Sequence, residues 1–171
     1  GIEIAVTETT RYPFRETVEF EVSAPQPTRF PLYLRVPGWC ESPGLEVAGE
    51  AVEVHAPPRS YIRIEREWRD GDGVRLALPM TVAVRVWEKN QGCVSVDRGP
   101  LTYSLRIGEE YRRAGGTDAW PAWEIHPTTP WNYGLVLDPE DPAAGFEVEE
   151  CEWPEDNQPF TLEHAPVVLR T

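Results

Sequence analysis

Apolar and polar residues alternate along most of the first hundred positions. Over residues 30–40, FPLYLRVPGWC, the apolar Phe30, Leu32, Leu34 and Val36 are interleaved with Pro31, Tyr33 and Arg35. A period of two places those four apolar side chains on one face, the pattern of a half-buried strand. The strand stops at Pro37-Gly38, where proline lacks the ladder donor and glycine accepts a turn. Trp39-Cys40 follow as bulky, buriable residues.

The same period recurs on either side. Ile2, Ile4 and Val6 alternate, so the chain opens within a strand, as a piece cut from a longer chain does. Val18, Phe20 and Val22 make a second strand, and the short loop APQPT makes it the expected neighbour of the Phe30 strand. Leu45 and Val47 are expected to meet Val52 and Val54 across Ala48-Gly49-Glu50-Ala51, with the glycine supplying a positive φ. Residues 61–66, 74–78 and 82–86 continue the pattern, and WRDGDG forms the turn between the first two. Val94 and Val96 make a short strand that Arg98-Gly99-Pro100 breaks, after which Leu101, Tyr103, Leu105 and Ile107 resume.

No stretch carries sustained helical periodicity, and 18 prolines with 13 glycines punctuate the chain. Short alternating strands with such punctuation predict an all-β fold, an antiparallel β-sandwich of jelly-roll-like type, over residues 1–107. Residues 108–121, GEEYRRAGGTDAWP, lack alternation and read as a surface connection. Beyond them, residues 123–125, 131–137, 146–148 and 166–169 read as extended, divided by proline-rich turns such as DPEDPAAG. Residues 108–171 thus either complete the first sandwich or start another. Trp131 and Tyr133 share a face with Leu135 and Leu137 and are expected in the core.

Charge narrows the partners. Twenty-nine acidic residues against sixteen basic ones give a net charge of -13, which repels phosphate backbones and anionic membrane surfaces. Neither nucleic acid nor membrane is an expected partner. No apolar run reaches the ~20 residues that span a bilayer, and GIEIAVTETT has neither the basic nor the apolar region of a signal peptide. At 171 residues the chain can bury one sizeable core, or one domain and part of a second. Cys40, Cys93 and Cys151 are odd in number and far apart, so they read as core thiols and leave the compartment open.

The chemistry-bearing residues are scattered. His55, His126 and His164 are isolated, without the short spacings of a metal site, and read as surface residues. Asp70-Gly71-Asp72-Gly73 begins like a calcium loop but lacks the third oxygen ligand and the closing glutamate, so it reads as a turn. Glu65 and Glu67 share a strand face beside Arg63, Arg66 and Arg69, where solvated ion pairing accounts for them better than glycosidic acid/base work. No nucleophile elbow, phosphate loop or dinucleotide fingerprint occurs. Among seven tryptophans, Trp87 falls opposite the apolar face of Val82, Val84 and Val86 and is expected to be partly exposed. Trp87 and Trp39 are the candidate aromatic platforms for a sugar ring.

Five segments in order carry a resemblance. YPF at 12–14, FPLYLRVPGWC at 30–40, REWRDGDGVRLALPM at 66–80, CVSVDRGPLTYSL at 93–105 and WNYGLVLD at 131–138 resemble the C-terminal β-sandwich region of glycoside hydrolase family 127, the β-L-arabinofuranosidase family. The resemblance implies a separate N-terminal (α/α)6 barrel, with a zinc-bound cysteine nucleophile, further cysteine ligands, a glutamate ligand and a second glutamate as acid/base. That zinc site includes adjacent cysteines, and no two cysteines are adjacent here. None of its roles therefore passes to Cys40, Cys93 or Cys151, and zinc is expected only in the barrel. Ala48 departs from the pattern, which places an asparagine before the glycine. The expected function is a non-catalytic accessory sandwich that packs against and stabilises the barrel; the alternative is a carbohydrate-binding module using Trp87 and Trp39.

Overall fold

The computed structural model describes every residue from Gly1 to Thr171. Its strands are β1 (Ala5–Thr10), β2 (Thr17–Ser23), β3 (Thr28–Val36), β4 (Gly44–Val47), β5 (Glu50–Val52), β6 (Ser60–Trp68), β7 (Asp72–Ala77), β8 (Val82–Trp87), β9 (Cys93–Arg98), β10 (Leu101–Tyr103), β11 (Glu109–Gly116), β12 (Pro121–Pro127), β13 (Glu147–Glu150) and β14 (Val167–Arg170). The only helical turns are short 3-10 segments at Glu88–Asn90 and Pro142–Gly145. The chain divides into two compact units, Gly1–Ala83 with Asp97–Thr102, and Val84–Val96 with Tyr103–Thr171.

The first unit is an antiparallel sandwich. One sheet runs β1-β2-β7-β4-β5, and the other pairs β3 with β6. In the five-stranded sheet, Leu76 is flanked by Val18 and Leu45, and Val74 by Phe20 and Val47, so two apolar rows cross three strands. In the other sheet, Leu34 pairs with Ile62 and Leu32 with Ile64. The inward residues of both sheets form one core with Val22, Val36, Cys40 and Trp68, all four fully buried. Period-two alternation is visible in β3, whose even-numbered residues face in and whose odd-numbered ones face out.

Several local expectations change in the folded chain. Strand β2 is bonded to β1 and β7, whereas β3 is bonded to β6, so the two strands expected to be neighbours lie in opposite sheets. Pro25 and Pro27 have no N–H to close a hairpin, and the loop carries the chain across instead. The crossing is tied to the one between β6 and β7: Ala24 N–H donates to Asp70 Oδ1 at 3.1 Å and Gly71 N–H to the Val22 carbonyl at 2.9 Å. Trp68, expected at the head of the turn, is the last residue of β6. Its indole N–H donates to the Phe30 carbonyl at 2.9 Å, and the two rings stack 5.6 Å apart. The β4–β5 connection is two residues rather than four, with Val47 opposite Glu50, Ala48 at φ 52° and Gly49 at φ 81°.

Strands β8, β9 and β10 form a three-stranded sheet in the order β10-β9-β8. In the second unit, residues 109–116, expected as part of a connection, form β11 and pair with β12. The strand escapes sequence reading because Tyr111 is its one large apolar residue. Strands β13 and β14 pair through Glu147↔Arg170 to Glu150↔Val167. Residues 131–137 form no strand, and Trp131 and Tyr133, expected in the core, are both exposed. Alternation identifies which side chains share a face, and it is silent on whether another layer covers that face.

Candidate functional site

The residue types that perform catalysis are dispersed. Each histidine sits at the surface beside a carboxylate: His55 by Glu53 at 3.5 Å, His126 by Glu124 at 3.4 Å and His164 by Asp156 at 4.0 Å. Cys40 is enclosed in the apolar core, where burial pushes its thiol pKa up. Cys93, expected in a core, is exposed at the start of β9, and Cys151 is half-buried. No three His, Cys, Asp or Glu side chains come together in a way that could hold a metal ion. These thiols do not fit the zinc-thiolate site that the resemblance implies for a barrel.

The carboxylates singled out from sequence are paired. Glu65 meets Arg29 at 3.5 Å and also bonds Arg63, while Glu67 meets Arg69 at 4.0 Å. Arg63 in turn donates to the Tyr33 hydroxyl at 3.1 Å, an interaction that raises its pKa further. Asp72 accepts the Arg69 N–H at 2.9 Å and pairs with Arg66 at 3.5 Å, and Asp70 accepts from Ala24. Both aspartates of the DGDG tract therefore hold the β6–β7 connection in place.

The two candidate sugar platforms stand in different units. Trp39 is half-buried against the sandwich core. Trp87 is 48% exposed; its indole N–H donates to Ser95 Oγ at 3.2 Å, and the Arg85 guanidinium lies 5.4 Å from the ring centroid. Trp87 thus presents an oriented, half-open ring at the end of β8, on the face it shares with Arg85.

Two features were not legible in advance. The first is a buried polar knot in the first unit. The Arg98 guanidinium donates to Glu16 Oε1 at 3.0 Å, and the same oxygen accepts the Met80 N–H at 2.9 Å. Beside it, the Thr102 hydroxyl donates to Asp97 at 2.7 Å. Gly99 has φ 57°, and a Cβ there would lie 2.7 Å from Met80 Sδ, so the tract DRGP is fitted to this knot. The second is the β11–β12 ribbon, whose Tyr111 and Trp123 rings meet edge to face at 6.5 Å. The aromatic residues around GEEYRRAGGTDAWP were its one signal.

Residues 1–80 match the family model described as the β-L-arabinofuranosidase, GH127 middle domain. No curated protein matches the chain. Among solved structures, a GH127 β-L-arabinofuranosidase from Geobacillus stearothermophilus T6 is 24% identical, with a TM-score of 0.55 over 74% of this chain and 27% of its own. A second, described as a glycoside hydrolase, is 21% identical with a TM-score of 0.53, over 80% of this chain and 27% of its own. A third, described as a GH127 β-arabinofuranosidase, is 20% identical with a TM-score of 0.52, over 74% and 25%. At these identities the likeness to the solved structures is one of fold. The chain spans about a quarter of the length of each of them.

Proposed function

We propose that this chain is a non-catalytic accessory β-sandwich of a glycoside hydrolase of the β-L-arabinofuranosidase type, packing against the catalytic barrel of a longer polypeptide and stabilising it. One observation carries the reading. Fifteen of the seventeen buried apolar residues fall within residues 1–80, the stretch that matches the middle-domain family model. That stretch therefore has the core of a self-supporting module. Its Glu16, Asp70 and Asp72 carboxylates are engaged in holding strands and crossings together, whereas cleaving a glycosidic bond needs a positioned acid with a nucleophile or an activated water.

A second reading, a carbohydrate-binding module, draws on the half-open Trp87 ring. Both are tested by incubating the purified chain with an aryl β-L-arabinofuranoside, measuring bound metal by elemental analysis, and running the chain through arabinan affinity gels. The accessory reading predicts no turnover, no stoichiometric zinc and no retardation. Turnover that survives repurification, or close to one zinc per chain, overturns it. Retardation that Trp87→Ala abolishes favours the second reading.

A further inference from the structure

The β11–β12 ribbon is amphipathic in a way that points to a partner. Directly paired residues share a face, so Tyr111 with Ile125 and Arg113 with Trp123 stand on one side, and Glu110 with His126 and Arg112 with Glu124 on the other. The second side is polar and satisfied within itself, with Arg112 bonded to Glu110 at 2.6 Å and His126 beside Glu124 at 3.4 Å. On the first side, Tyr111, Trp123 and Ile125 are each more than half exposed. Two of its polar side chains are engaged within the ribbon: the Tyr111 hydroxyl donates to Glu109 at 2.9 Å, and Arg113 pairs with Asp118 at 2.8 Å. The connecting loop is closed by reciprocal Thr117 and Trp120 backbone bonds at 3.1 and 3.2 Å, and it presents Trp120 at 83% exposure. A two-stranded ribbon alone is marginal in water, so an ordered ribbon with an open apolar face is built to be covered.

Three observations select what covers it. A sugar needs several converging hydrogen-bond donors and acceptors, and on this face the Tyr111 hydroxyl and the Arg113 guanidinium are turned to Glu109 and Asp118 instead. A second copy would bring together two chains of net charge -13. The match covers only about a quarter of each related solved chain, so most of such a polypeptide lies outside the matched residues. We infer that the apolar face of the β11–β12 ribbon, with Trp120 at its tip, is the surface that docks on the catalytic domain of the longer polypeptide. This inference rests on the accessory-domain reading above and names the surface that reading leaves open.

Hydroxyl-radical footprinting read by mass spectrometry tests it on two proteins, the isolated 171-residue chain and a longer polypeptide that contains it. In the isolated chain at low concentration, Tyr111, Trp120 and Trp123 should be oxidised readily. In the longer polypeptide they should lose most of that reactivity, while Trp87 in the same unit keeps its own. Protection at Tyr33 and Tyr61 with the ribbon still reactive would move the docking surface to the outer face of β3–β6, overturning the inference and leaving the accessory reading intact. No protection anywhere would overturn both. Protection of the ribbon in the isolated chain, whether at low concentration or only as concentration rises, would assign the face to the chain itself or to a second copy and overturn the inference.

Discussion

Cys40, Cys93 and Cys151 share one chemistry and differ in setting, and the difference is measurable. Cys40 is enclosed among the core strands while Cys93 is open to solvent. A thiol reagent should label Cys93 at once and Cys40 only on unfolding. Burial raises the Cys40 pKa, so the folded chain keeps a proton that the unfolded chain releases. That contribution to stability is whole below the ordinary thiol pKa and is lost as pH rises through the raised folded value. Replacing Cys40 with alanine should remove this alkaline sensitivity in denaturant titrations followed across pH. A second residue-scale outcome concerns Ala48, at φ 52° beside Gly49 at φ 81°. A two-residue turn with both φ positive favours Asn-Gly, and alanine is poorly suited to its first position. Ala48→Asn should therefore raise stability by about 0.5–1 kcal/mol in equilibrium unfolding. A loss instead would contradict the turn geometry.

At the scale of the element, alternation found most of the sandwich because one face of each strand is covered. Leu34 shows why: its neighbours at Leu32 and Val36 point inward with it, and it pairs with Ile62 across the sheet. Leu34→Ala should cost about 2–5 kcal/mol through lost burial and a residual cavity, read from urea unfolding midpoints. A cost below ~1 kcal/mol would place that face in solvent. What alternation could not supply was the partner of each strand. The β2–β3 loop looked like a hairpin, yet its prolines and the Ala24–Asp70 bond send it between sheets. Trp68 looked like turn punctuation beside Asp70 and Gly71, yet its stacking on Phe30 makes it core. For β11, the covering surface needed for a legible pattern is absent from the chain's own burial, so period two leaves almost no trace there. The Glu16–Arg98 pair joins residues 82 positions apart, a distance over which no local signal operates.

At the scale of the molecule, apolar surface is distributed unevenly. Of the large hydrophobic residues that remain exposed, fifteen of twenty-one fall in the second unit, including Trp120, Trp131, Tyr133 and Phe160. The same region carries the charge: residues 138–171 hold ten carboxylates against the single cation Arg170. A sandwich with a closed core, followed by a segment rich in uncovered aromatics, is the arrangement on which the proposed accessory role rests. The most direct test of the proposed accessory role deletes residues 1–171 from a longer polypeptide that contains them and compares thermal inactivation and KM for a small aryl glycoside and for a polymeric substrate. The account predicts inactivation at lower temperature with KM unchanged for both. Unchanged inactivation with KM raised for the polymer alone is the behaviour of a carbohydrate-binding module, and would contradict it.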